Sequence, residues 1–189
     1  MCGFFGFFKT NKNFKVDKKI YKNISLKYRG PDEHTVFENN NFYCEFFRLS
    51  ILGGLNASQP MKSYDKRYLI LLNGEIYNYK ELNKDYLNLK EKNLGDTRVL
   101  VELFSKFGTK AIEKLNGMFS IVLYDQKKQK IYLIRDRFGT KPLYYLIKNN
   151  VLYFSSEIKG IPLKKNVNNN VVANYIDNGH YSNFNTFYK

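Results

Sequence analysis

The chain has 189 residues, of which 43% are hydrophobic, 17% aromatic and 25% charged, enough for one globular unit with a substantial core. Its 16 Tyr and 16 Phe argue against disorder, and no apolar run approaches the ~18 residues of a membrane helix. Two cysteines build neither a disulfide framework nor a cysteine zinc finger, and a reducing, cytoplasmic setting is expected. The apolar patch at residues 4–8 has no basic residue before it, so it does not read as a signal peptide. Thirty-one Lys and Arg against 17 Asp and Glu give a net charge of +14. These charges are scattered, as in Lys18-Lys19 and Lys127-Lys128, with no dense aromatic and basic motif. They read as solvated surface, and no nucleic-acid partner is expected.

In chain order, residues 2–8 read as a buried strand. Val16, Ile20, Ile24 and Tyr28, spaced by four, predict an amphipathic helix over 16–28, broken by Arg29-Gly30-Pro31-Asp32. Strands are predicted at 42–52 and 67–72, the second ending at the turn pair Asn73-Gly74. A helix is expected over 79–89. Asp96 can cap a second one, whose stripe of Val99, Leu100, Leu103, Phe104 and Phe107 runs up to Gly108. Four short strands follow at 118–125, 130–136, 143–148 and 151–155. From Ile161 the composition shifts to a linker, with a last helix at 171–178 between Asn170 and Gly179. Strands and helices come in blocks, which predicts an α+β fold with largely antiparallel sheets.

Cys2 carries the first chemical signal. Once Met1 is removed, one residue holds both a thiol and an α-amine, and an α-amine with a pKa of about 7.7–8.0 can accept the thiol proton. Taken alone, Cys2 reads as a small buried hydrophobe. Asn73-Gly74 alone reads as a hairpin turn, Arg48 as a surface residue at a strand end, and Asp96 as a simple cap.

Nine segments occur together and in order: Cys2-Gly3-Phe4-Phe5-Gly6, Arg29-Gly30-Pro31-Asp32, Arg48-Leu49-Ser50-Ile51, Gln59-Pro60, Asn73-Gly74-Glu75-Ile76-Tyr77-Asn78, Gly95-Asp96-Thr97, Leu115-Asn116-Gly117-Met118-Phe119, Arg135 to Tyr145, and Phe154-Ser155-Ser156-Glu157-Ile158-Lys159. From Cys2 to about Lys159 the chain resembles the N-terminal glutaminase domain of glutamine-hydrolysing asparagine synthetases, which are class II (N-terminal nucleophile) glutamine amidotransferases. The resemblance implies a four-layer αββα sandwich of two antiparallel sheets. Residues 1–160 would form the glutaminase domain, and 161–189 a linker and short helix leading toward an ATP-dependent synthetase domain.

The resemblance also implies roles. Cys2 would attack the side-chain amide of L-glutamine and form a thioester. The Asn73 amide and the Gly74 N–H would stabilise the oxyanion. Arg48 would fork onto the substrate carboxylate and Asp96 would pair with its ammonium, with Glu75, Ile51 and Leu52 lining the same pocket. Arg29 to Asp32 and Arg135 to Pro142 are expected to organise loops. Cys44 is expected in the core. His34 and His180, the two histidines, have no metal-ligand spacing to either cysteine, so no metal site is expected.

Gly53-Gly54-Leu55-Asn56-Ala57-Ser58 looks superficially like the pyrophosphate loop of the synthetase half, but Leu52 and Asn56 stand where Ser and Asp belong. The 189 residues hold no counterpart of that half. The chain is therefore expected to be a fragment or a subunit needing a synthetase partner, with ATP and magnesium confined to that partner and a homodimer as a further possibility. Two other readings stand beside this one: a catalytically silent glutamine-binding or regulatory module, and an amidotransferase for a sugar-acid acceptor.

Overall fold

The computed structural model describes residues 1–11, 15–16, 24–50, 57–161, 164, 166–179 and 187–188. Among these described residues, nine strands form two antiparallel sheets. The first contains β1 (Gly3–Lys9), β2 (Glu33–Glu38), β3 (Phe42–Arg48), β8 (Tyr144–Lys148) and β9 (Val151–Ser155), in the order β2-β3-β1-β9-β8. The second contains β4 (Met61–Lys62), β5 (Tyr68–Ile76), β6 (Gly117–Asp125) and β7 (Lys130–Arg135), in sequence order.

The phenylalanine-rich β1 is central in its sheet and buried on both faces, and its alternation deals side chains to two cores. Phe4 and Phe8 join Phe42, Cys44 and Phe46 against Leu69, Leu71, Val122 and Tyr124, which fills the space between the sheets. Phe5 and Phe7 point the other way, onto Tyr43, Phe47 and Tyr153. The far face of the four-stranded sheet is covered by α1 (Tyr79–Leu82) and α2 (Asp96–Phe107), through Val99, Leu100, Leu103 and Phe104. The two-sheet α+β architecture follows the expected one. Among the described residues, the layer over Phe5 and Phe7 consists of Leu26 from a 3-10 turn at Ile24–Arg29, with Ile161 and Val16, and not of an α-helix. The predicted helix over 16–28 lies largely outside the described residues.

Several boundaries differ from the expected ones. β5 runs straight through Asn73-Gly74 to Ile76 and stays in register with β6, Asn73 opposite Ser120 and Gly74 opposite Phe119. The pair is therefore part of a strand and not a turn. β3 stops at Arg48, because the next N–H, that of Leu49, turns to the sulfur of Cys2. The helix expected over 79–89 is α-helical only to Leu82 and widens into a π-turn at Asn83–Leu87. The Asn83 side chain closes that segment by donating to Leu89 O and accepting from Leu89 N–H, at 3.1 and 2.8 Å. Asp96 is the first residue of α2 and not its cap, a place taken by Gly95. The last helix, α3 (Asn169–Asn178), is preceded by Asn168 and ends at Gly179 in the left-handed conformation. No helix among the described residues is long and apolar enough to cross a membrane.

Candidate active site

Pairing of Gly3 with Phe47 carries Cys2 to the end of β3. There the Leu49 N–H donates to Cys2 Sγ at 3.4 Å, and the thiol reaches Leu49 O at 3.6 Å. Arg29 Nε donates to Cys2 O at 3.0 Å, while its Nη1 meets Glu157 Oε1 at 2.5 Å. The first residues are thus held by partners far along the chain. Met1 is 53% exposed.

The same strand end positions Arg48, whose side chain is nearly buried. Its cross-strand neighbour Glu33 lies 3.4 Å from Nη1 and accepts a hydrogen bond from Ser58 at its other oxygen. A guanidinium so buried needs such a counter-charge. From the second sheet, β5 brings in Leu72, Gly74 and Glu75. The start of α2 adds Asp96 and Thr97. Cys2, Arg48, Gly74, Glu75 and Asp96 line one pocket between the sheet ends, with Gln59 and Thr97 on its wall.

Gly74 has a φ of +146°, and a Cβ there would lie 2.0 Å from Met118 O on β6. Only glycine fits, so the main chain of β5 can face the pocket without a side chain in front of it. Asp96 is buried. Its Oδ2 accepts the Ile76 N–H at 3.1 Å and its Oδ1 the Thr97 N–H at 2.7 Å, which joins the end of β5 to the start of α2. Burial pushes the Asp96 carboxyl above its ordinary value; the Ile76 and Thr97 donors oppose that rise, and nearby Glu75 adds to it.

Asn73 lies on the other face of β5, the face that sends Leu69 and Leu71 between the sheets. Cys2 packs at the margin of that same cluster. Asn73 is 1% exposed, and neither its Oδ1 nor its Nδ2 has a hydrogen-bond partner. Leaving such a group unpaired costs about 1–3 kcal/mol, so the Asn73 amide sits there at a cost to stability.

The structure therefore brings Cys2, Arg48, Gly74, Glu75 and Asp96 together and sets Asn73 behind Gly74. Ile51 and Leu52 lie outside the described residues. Cys44 lies in the inter-sheet core, and burial raises its thiol pKa well above the usual value. Asp136 accepts the N–H groups of Phe119, Phe138, Thr140 and Lys141, the loop-organising part expected of its segment. Sequence reasoning gave Arg29 no place at the nucleophile and Gln59 no place in the pocket wall. Both stand inside the quoted motifs, but their contacts are with main chain far away.

The arrangement offers a thiol, a glycine-lined strand edge, one guanidinium and two carboxylates, those of Glu75 and Asp96, around one pocket, with a buried amide behind Gly74. A profile of the glutamine amidotransferase domain family matches residues 1–189. Asparagine synthetase [glutamine-hydrolyzing] 2 of Bacillus subtilis is 41% identical over 137 residues, covering 72% of this chain and 18% of its own length. Asparagine synthetase B of Escherichia coli is 32% identical over 165 residues, covering 85% of this chain and 30% of its own. The chain thus spans less than a third of either relative. Among solved structures, glutamine phosphoribosylpyrophosphate amidotransferase from B. subtilis superposes with a TM-score of 0.67 at 16% identity, over 85% of this chain and 43% of that one, a likeness of fold. Matched along its full length, this chain belongs to the glutamine amidotransferase domain family, and it is akin to the corresponding domain of glutamine-hydrolysing asparagine synthetases.

Proposed function

We propose that the chain hydrolyses L-glutamine to L-glutamate and ammonia through a thioester on Cys2. The observation that carries this reading is the buried, unpartnered Asn73 amide on the strand that brings Gly74 to the pocket lined by Cys2. With Met1 removed, the Cys2 amine takes the thiol proton and the sulfur attacks the side-chain amide carbon. The resulting oxyanion accepts hydrogen bonds from the Gly74 N–H and the Asn73 Nδ2. The ammonium returns its proton to the departing nitrogen, ammonia leaves, and water cleaves the thioester to glutamate. Arg48 holds the substrate carboxylate. Asp96, with Glu75, holds its ammonium. The family resemblance assigns Ile51 and Leu52 to the same pocket.

In this reading residues 1–160 are the glutaminase domain and 161–189 lead toward a synthetase domain or subunit. That partner would use ATP and magnesium to amidate aspartate or a related carboxylate, and this chain needs no cofactor of its own. Support comes from the asparagine synthetases it resembles, which are about three to six times as long as the stretch it covers.

The test is ammonia release by the purified chain, followed by treatment with a glutamine-mimicking electrophile and mass analysis. One adduct on Cys2 of a chain lacking Met1 is expected. An adduct elsewhere, or undiminished turnover in Cys2→Ala, overturns the assignment. Glutamine binding without ammonia release would mark a silent binding module.

A further inference from the structure

The edge of β5 is incomplete, and one side chain completes it. β4 pairs with β5 only at Met61 opposite Ile70 and Lys62 opposite Leu69. Extending that antiparallel register by two residues sets Gln59 opposite Leu72. Gln59, however, turns its main-chain carbonyl away to accept the Thr35 hydroxyl on β2. Its side-chain amide takes over the pairing: Oε1 accepts the Leu72 N–H at 2.6 Å and Nε2 donates to Leu72 O at 3.3 Å. A side-chain carboxamide thus stands in for the peptide unit of an absent strand.

The location decides what this does. Along a strand, N–H groups at every second residue face the same edge. Leu72 N–H is held by Gln59 and Ile76 N–H by Asp96 Oδ2 at 3.1 Å, and between them lies Gly74, which lines the pocket. Gln59 Nε2 also reaches Thr97 Oγ1 at 3.5 Å, and that hydroxyl donates to Asp96 Oδ1 at 3.3 Å. Gln59 is itself 6% exposed. One amide therefore ties the strand carrying Gly74 to the carboxylate at the start of α2.

We infer that Gln59 is a positioning residue that fixes the Gly74 N–H toward the reacting carbonyl by pairing with the main chain of Leu72. The inference rests on the glutaminase reading above. It places Gln59 in the transition state through Gly74 and not in substrate binding, since oxyanion donors act on what forms after attack.

The experiment measures kcat and KM for ammonia release, per active site titrated with the glutamine-mimicking electrophile, in wild type, Gln59→Leu and Gln59→Glu, alongside melting temperature. Gln59→Leu loses both bonds to Leu72, and kcat is expected to fall about tenfold or more while KM changes less than threefold. Gln59→Glu keeps an acceptor for the Leu72 N–H but loses both donations, and a kcat between the two is expected. If Gln59→Leu does not fold, the Gln59→Glu comparison decides alone. A folded variant with wild-type kcat and only a lowered melting temperature makes Gln59 merely structural and overturns the inference. A wild-type chain that neither releases ammonia nor is labelled at Cys2 defeats the glutaminase reading itself, a result distinguishable from failure at Gln59.

Discussion

Arg29 joins the start of the chain to Glu157, 128 residues beyond it, donating to the main-chain carbonyl of Cys2 at 3.0 Å and to Glu157 at 2.5 Å. The residue that would supply sulfur and base is thus held by its own carbonyl. Glu157 is in turn fixed by Arg29, the Tyr28 hydroxyl and Lys159. Burial raises the Glu157 carboxyl, but these partners outweigh it and leave the carboxyl below its ordinary range. Arg29→Lys has one ammonium where the structure uses two separate guanidinium nitrogens, so it cannot hold both ends at once. Ammonia-release assays are expected to show kcat lowered about tenfold or more in Arg29→Lys, with KM nearly unchanged. A variant as active as wild type would mean that the carbonyl contact does not orient the nucleophile.

Asn73 separates stability from catalysis. Both atoms of its amide are buried without partners, so replacing it by leucine, of similar volume and apolar, removes an unfavourable desolvation. Asn73→Leu is expected to melt no lower than wild type while kcat falls about 10²–10³-fold, the usual loss for one oxyanion donor. Thermal melts and steady-state kinetics on one preparation check both halves. A large drop in melting temperature with kcat intact would assign Asn73 to packing instead.

Regular strands were the most legible part of the sequence. The strand expected at 151–155 is β9 residue for residue, and the buried strand expected at 2–8 is β1, Gly3–Lys9. The error at Asn73-Gly74 has a physical cause. Those residues favour a turn locally, but Gly74 is required for close approach to Met118 O, and tertiary packing keeps the strand extended. Asp96 looked like a cap because a carboxylate at a helix start usually is one; here it joins two elements and faces a pocket. Gln59 and Arg29 were illegible in their roles because each acts on a main-chain group that no side-chain pattern reveals.

Asp96 gives the pocket a pH dependence of definite sign. Burial, the largest influence, raises its pKa above the ordinary value of 3.8, and Glu75 adds to that. The ionised form must be present to hold an ammonium, so KM for glutamine is expected to rise on acidification from a pH above the ordinary carboxylate range. For stability the sign is opposite. A raised folded-state pKa favours folding of the protonated form, a contribution complete below the unfolded value and lost as pH rises through the folded one. Asp96→Asn is therefore expected to be at least as stable as wild type near neutrality, with a KM raised about tenfold or more and no acid limb of this origin. KM profiles between about pH 4 and pH 8 test this, and an unchanged acid limb in Asp96→Asn would remove Asp96 from ammonium binding.

Asp136, which does not line the pocket, shows the reverse linkage. Burial pushes its carboxyl up, yet the Thr140, Lys141 and Phe119 N–H groups hold it down to about 2, against 3.8 ordinarily. A depressed folded-state pKa stabilises the protein above the unfolded value, and that contribution fades as pH falls from about 3.8 toward 2. The carboxylate gathers donors from 119, 138, 140 and 141, which clamps the loop after β7 onto β6. Asp136→Asn keeps one acceptor and gains a donor facing those N–H groups. It is expected to lose about 1.5–3 kcal/mol near pH 7, the range for a hydrogen bond to a charged group. Denaturant melts at about pH 7 and about pH 2.5 measure the difference between variant and wild type. That difference is expected to shrink markedly at the lower pH; if it stayed constant, the loop would be held by the shape of the Asp136 side chain and not by its charge.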